Sequence, residues 1–411
     1  NANHFQMTYY LAIPLLAVYL VWTYQKMKQK QVSDLLKGVG WSLGALFLAL
    51  SLNATNLMAT SEYARFSTRG SSGLTINPDG TEKEINTGLN KDYITEYSYG
   101  ISESLNLLVP GLFGGSNSEN IGKESELYDF LRKNNVPVSQ AASFVENAPL
   151  YWGNQPIVAA PAYLGAVIVF LLLLGIALSK NPYKSGLLVA MTLALLLSWG
   201  KNFPLLTDLF IKYVPLYNKF RAVSSIQVVI ELCAPLLAAW GLQEWLSNEQ
   251  PPSLKKKALL YAGAVSGGLV LLLLLFKNSL FEFEGVNDAY YASNFGYEFV
   301  EALQQDRIAL FTSDALRTLA FLGLAFALLW FHYAGKCKTG QLLVGLLLLV
   351  SLDLMLVDRR YVNAESFVDN KQWENLYTPT PADNQILKDT SRYRVLDLSA
   401  NPFNSARASY F

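Results

Sequence analysis

Residues 162–200 read AYLGAVIVFLLLLGIALSKNPYKSGLLVAMTLALLLSWG, and this stretch decides the fold class. Two apolar runs flank a short polar turn at 179–184. The leucines at 171–174 stand side by side instead of alternating with polar residues, which excludes a membrane strand. A hydrocarbon core of about 30 Å asks for roughly 20 apolar residues in a helix. In lipid, every backbone polar group must be satisfied within its own segment, so such runs fold as helices.

Working outward, eight segments qualify, at about 6–24, 37–58, 162–179, 185–200, 224–246, 257–276, 315–334 and 340–357. The expected fold is an all-α polytopic membrane protein. Composition agrees: the 411 residues are 52% apolar and 16% charged, against about 25% charged in a typical soluble domain. Disorder, collagen and a disulfide scaffold are excluded. Basic and acidic residues balance at 32 each, so no bulk positive field invites nucleic acid. Two cysteines (Cys233, Cys337) and two histidines (His4, His332) cannot build a thiolate zinc site or a histidine-rich centre. A divalent cation, Mg or Mn, would need oxygen ligands. No leader is visible, and the chain reads as the interior of a longer protein.

Lysine sets the orientation. The loops at 25–36, 180–184, 247–257 and 335–339 are rich in it and fall on one side, assigned to the cytoplasm. The other connections face outward, and all eleven arginines lie in them or at their edges. The expected organisation follows. Residues 1–58 hold spans one and two. Residues 59–161, with 12 acids against 7 bases, form an extracytoplasmic loop region. Residues 162–357 hold spans three to eight with outer loops at 201–223 and 277–314, the latter with a helical-looking piece near 295–305. Residues 358–411 start a truncated extracytoplasmic domain, α/β or β, opened by the strand-like RYRVLDL at 392–398. Within 59–161, a turn is expected at 77–80, and the semi-apolar stretch 97–113 suits the membrane interface.

Ionisable groups near membrane depth are expensive and mark candidate sites. Ser224, Gln227 and Glu231 share a face at helical spacing, with Lys219 and Arg221 just above. The group is either a cradle for an anionic lipid-linked phosphate or a structural polar cluster with snorkelling cations. Lys201 caps span four on the same side. Asn53, Asn56 and Thr60 form a second stripe leading to Glu62, Arg65 and Arg69. The two arginines suit a diphosphate; helix–helix hydrogen bonding is the alternative for the stripe. His4 opens span one as an acid, base or phosphate donor, or as a structural histidine. Asp353, near the outer end of span eight, is placed to pair with a neighbouring helix, with proton coupling as the lesser alternative. Phosphate-binding loops, dinucleotide fingerprints, zinc-protease motifs and nucleophile elbows are absent from the sequence.

Seven short runs in order resemble the bacterial YfhO membrane-protein family: NHFQMTYY (3–10), NATNL (53–57), STRG (67–70), TINPDG (75–80), YWGNQP (151–156), SWGKNF (198–203) and YNKFRAVS (217–224). The likeness continues to NPFN (401–404). That family is similar to GT-C-type glycosyltransferases, polytopic helical enzymes that take a sugar from a polyprenyl-phosphate carrier on the outer face. The resemblance implies a GT-C-like fold in the bacterial inner (cytoplasmic) membrane and a cell-envelope glycan or protein as acceptor. It places the family's catalytic acid ahead of the NHFQ-like run, and so ahead of residue 1. Within the chain, His4 and Glu62 are the candidates for catalysis. Lys201, Lys219, Arg221, Arg65 and Arg69 are the candidates for the leaving phosphate. A transporter or flippase with Gln227 and Glu231 along its path, and a non-catalytic subunit packed against membrane-complex partners, are the rival expectations.

Overall fold

A computed structural model describes residues 4–70, 76, 80–81, 88–376, 378–391 and 394–398. Asn3, most of the TINPDG run, Arg392, Tyr393 and the NPFN run lie outside the described residues. The chain divides into two units, Asn1–Val357 and Asp358–Phe411.

The first unit begins with a hairpin of α1 (Phe5–Lys28) and α2 (Val32–Leu52). Lys26 donates to the Gln31 amide oxygen at 2.7 Å and pairs with Asp34 at 3.4 Å, tying the end of one helix to the start of the next. α2 buries no residue inside the fold. It ends at Asn53, whose amide donates to the Ala49 carbonyl at 2.9 Å, and α3 (Ala54–Arg65) follows. Asn side chains compete in this way with the helical ladder. The expected span 37–58 is therefore two helices, and Asn53 does not share one continuous face with Asn56 and Thr60.

The connection to the next apolar helix carries α4 (Lys91–Ile94), α5 (Glu126–Lys133) and α6 (Val138–Val145). Then come α7 (Ala166–Leu178), α8 (Lys184–Ser198), α9 (Pro204–Tyr213), α10 (Val228–Leu246), α11 (Pro252–Leu275) and α12 (Lys277–Leu280). α13 (Asp288–Phe295), α14 (Tyr297–Tyr333) and α15 (Thr339–Tyr361) complete the set.

Six helices among the described residues are long and apolar enough to cross a membrane: α1, α2, Val223–Leu246, α11, α14 and α15. This is the architecture of a multi-pass membrane protein. α7 and α8, with 13 and 15 residues, reach only about 20–22 Å at 1.5 Å per residue, short of a full span. α8 leaves Ser185, Val189 and Thr192 exposed, whereas α7 is enclosed. α7 is a buried pillar between two cores. Phe170, Leu171 and Leu174 join one core with α11 and α14, while Leu172 joins the other with α8 and α10. A helix apolar on every side is buried in protein or in lipid, and the neighbours of α7 are protein. Its non-helical lead-in is satisfied by protein too. Leu164 N donates to the Leu107 carbonyl at 3.1 Å, Ala166 N to the Tyr163 hydroxyl at 3.0 Å and Val167 N to the Asp353 carboxylate at 3.3 Å. Irregular backbone at membrane depth is tolerated only where protein encloses it. α7 meets α10 at Gly175 and Gly241, where a Cβ on either glycine would strike the other helix's backbone.

α14 has 37 residues, about 55 Å of helix. The helical piece expected near 295–305 is thus continuous with the expected span 315–334. Its projecting turns pack with α5, α6 and α13 around Leu127, Val145, Leu150, Phe299 and Leu303. Within the stretch 97–113, Tyr99, Leu108, Val109, Leu112 and Phe113 are buried in the protein.

In the second unit, the described residues carry α16 (Asn370–Leu376) and α17 (Pro381–Ile386), the latter opened by a Thr380–Asp383 capping box. Residues 394–398 have no regular structure. No β-strand occurs among the described residues, so the expected C-terminal β or α/β start finds no strand here.

Candidate functional site

Two of the quoted runs fold against each other at one end of the bundle. In YWGNQP, Tyr151 N donates to the Ser116 carbonyl at 3.0 Å, and Trp152 stacks on Phe113 with ring centroids 4.1 Å apart. The backbone then passes over the buried carboxylate of Glu103. Gly153 is required there, because a Cβ would occupy the space of the Glu103 and Tyr151 oxygens. Glu103 accepts from the Tyr151 hydroxyl at 2.5 Å, from Gly100 N at 2.5 Å and from Asn154 N at 3.2 Å. Burial pushes its carboxyl above the usual range, while these donors and the nearby Lys201 charge pull it back down.

SWGKNF locks onto the same floor. Trp199 Nε1 donates to Ser104 Oγ at 2.7 Å, Lys201 N to Ser98 Oγ at 3.0 Å and the Asn202 amide to the Tyr99 carbonyl at 2.7 Å. Gly200 takes a positive φ of 46° with its α-carbon against Ser98, a place no side chain fits. The result is an open hollow of about 620 Å³. Lys91, Asp92, Thr95 and Glu96 form one wall, Lys201 and Pro204 another, and Tyr151 with 153–156 the floor. Asn287, just ahead of α13, closes it. Lys91 is paired with Asp208 at 2.6 Å, whereas Lys201 has no ion pair among the described residues.

Of the candidates read from the sequence, Lys201 lines the hollow. The other basic candidates do not line it. Arg69 Nε donates to the Lys219 carbonyl at 2.9 Å, and Lys219 Nζ to the Arg69 carbonyl at 2.7 Å. Arg221 donates to the Tyr93 hydroxyl at 2.7 Å and lies over its ring. His4, Glu62 and Arg65 are exposed, at the start of α1 and along α3. The single polar face expected for span five is not formed. Residues Val223–Gln227 make a 3-10 turn, so helical spacing does not apply to Ser224 and Gln227. Gln227 is buried against the Ser198 hydroxyl, whereas Glu231 is exposed in the first turn of α10.

A second polar group sits within the bundle. Asp353 pairs with Arg317 of α14 at 3.1 Å and accepts from the Tyr163 hydroxyl at 2.6 Å. Asp314 lies 3.5 Å from Arg317. Sequence reasoning missed Glu103, Lys91, Asp92 and Glu96 because they lie in a region without periodicity. The glycines of YWGNQP and SWGKNF were the available signal. Compared with known protein families, with curated proteins and with solved structures, the chain matches none of them.

Proposed function

We propose that this chain is the membrane core of a GT-C-like glycosyltransferase, moving a sugar from a polyprenyl-phosphate donor to a cell-envelope acceptor on the outer face. The observation that supports this reading most is the hollow itself. It opens beside the end of α8 and brings two lysines, Lys91 and Lys201, together with two carboxylates, Asp92 and Glu96.

Sugar transfer needs those groups. The acceptor hydroxyl attacks the anomeric carbon, the bond from that carbon to the donor phosphate oxygen breaks, and the phosphate leaves with the electron pair. A carboxylate takes the hydroxyl proton, and Asp92 and Glu96 are the exposed carboxylates in the hollow. Lys201 and Lys91 face the growing phosphate charge. This places the base inside the chain, where the resemblance put it ahead of residue 1. Among the described residues no group of three or more His, Cys, Asp and Glu side chains is set to hold a metal. The lysine-rich loops cap the opposite helix ends, so the hollow faces outward by the positive-inside rule. α10 runs unbroken from Val228 to Leu246, which supports a transferase over a carrier built from discontinuous helices.

The test is transfer from labelled polyprenyl-phosphate sugars to an envelope glycan by full-length protein in lipid nanodiscs. Transfer is expected, and Lys201→Ala should slow it by about 100-fold or more if the lysine stabilises the leaving phosphate. Absence of transfer across a donor panel would sink the reading; unchanged turnover in Lys201→Ala would sink the residue assignment.

A further inference from the structure

The basic residues outside the hollow form a constellation of their own. After α3, the STRG turn folds back, with Arg69 N donating to Ser67 Oγ at 3.2 Å and Gly70 N to the Ser67 carbonyl at 2.9 Å. The turn lays Arg69 against Lys219, and the two side chains reach past each other to the opposite backbone carbonyls. Two residues on, Arg221 is held over the Tyr93 ring at 5.2 Å. For Arg69 and Arg221 the described contacts are with a carbonyl and a phenol. These fix position without cancelling charge.

The loop that carries Lys219 and Arg221 is held in an unusual shape. Leu216 and Ala222 both adopt positive φ, 66° and 57°, a region that L side chains disfavour. Such strain persists only where surrounding structure over-determines it. Here buried Tyr217 packs on Phe210, and Gln6 of α1 donates to the Arg221 carbonyl at 2.7 Å.

The surroundings place this loop at a membrane surface. α3 emerges from α2, a candidate span, and leaves Tyr63 and Phe66 77% and 86% exposed. Exposed aromatic rings beside arginines, one short helix beyond a candidate span, suit the bilayer–water boundary. We infer that Arg69 and Arg221 clamp the phosphate of an anionic phospholipid headgroup, at a site separate from the hollow. Guanidinium forks match phosphate oxygens in paired hydrogen bonds. The inference does not depend on the glycosyltransferase reading.

The test titrates full-length protein in detergent with dioctanoyl-phosphatidylglycerol, dioctanoyl-phosphatidylcholine and inorganic phosphate, following the shift in Tm. Phosphatidylglycerol should stabilise the wild type, and an Arg69→Gln/Arg221→Gln variant should bind it about tenfold or more weakly, or about 1.4 kcal/mol. Lys201→Gln should bind it unchanged. Equal binding by the double variant overturns the clamp. An equal shift with inorganic phosphate makes it a free-anion site, an equal shift with phosphatidylcholine removes the charge selectivity, and loss in Lys201→Gln moves the binding to the hollow; each overturns the proposal. Should the double variant not fold, Arg221→Lys, which keeps the charge and removes the fork, is titrated instead, and undiminished affinity there overturns it equally.

Discussion

Asp353 of α15 and Arg317 of α14 form an ion pair at 3.1 Å inside the helix bundle, with the aspartate side chain 1% exposed. The Arg317 guanidinium also lies over the Tyr163 and Phe321 rings, so it is packed as well as paired. Removing one partner of a buried pair leaves the other charge uncompensated and costs about 3–5 kcal/mol, whereas replacing both with apolar side chains is often neutral. Arg317→Met should therefore lower the Tm of nanodisc-embedded protein strongly, and Arg317→Met with Asp353→Leu and Asp314→Asn, which removes both carboxylates facing the guanidinium, should recover most of the loss. A combined variant as unstable as the single one would show that packing, not charge, holds this joint.

Glu103 sets a pH dependence of defined sign. Burial, the largest influence, holds its carboxyl above the ordinary value of 4.5. The folded state thus favours the protonated form more than the unfolded chain does. The resulting stability is present below that ordinary value and is lost as pH rises through the raised one. The Tm of Glu103→Gln should lack this component, so the Tm of the wild type minus that of the variant should fall steadily from about pH 4.5 and then level off above the raised value. Parallel Tm–pH curves for the two proteins would rule it out.

The α7–α10 crossing has no room to spare. Gly241→Ala places a methyl 2.5 Å from the Gly175 Cα. Overpacking of this kind typically costs about 1–3 kcal/mol. By contrast, Gly267 and Gly268 of α11 face open space, and alanine there should be tolerated or mildly stabilising. Thermal unfolding of the three alanine variants in one detergent checks the contrast, which a uniform effect would abolish.

Asp92 and Glu96 can be separated kinetically. If Glu96 takes the acceptor proton, Glu96→Gln should lower kcat by about 100-fold or more, and Asp92→Asn should act mainly on KM. The reverse pattern assigns the base to Asp92. Full activity in both variants removes the hollow's carboxylates from the chemistry.

How much of this was readable beforehand can be judged from particular residues. Leu171 and its neighbours announced a helix in an apolar setting, yet not that the setting was protein on every side. Arg221 and Lys201 were both visible as cations near one end of the bundle. Their separation, one on Tyr93 and the other in the hollow, depended on where residues 91–96 fold back. Asp353 announced itself by its cost in an apolar span, but Arg317 did not stand out as its partner, because the pair is 36 positions apart.

That apolar helices dominate this chain follows from its residues alone, because a run of about 20 apolar residues has one way to satisfy its backbone in lipid. Long-range folding was needed to enclose α7, to set Glu103 beneath a glycine bridge and to separate Lys201 in the hollow from Arg69, Lys219 and Arg221 outside it. Those outcomes rest on contacts between segments distant along the chain, which local periodicity does not encode.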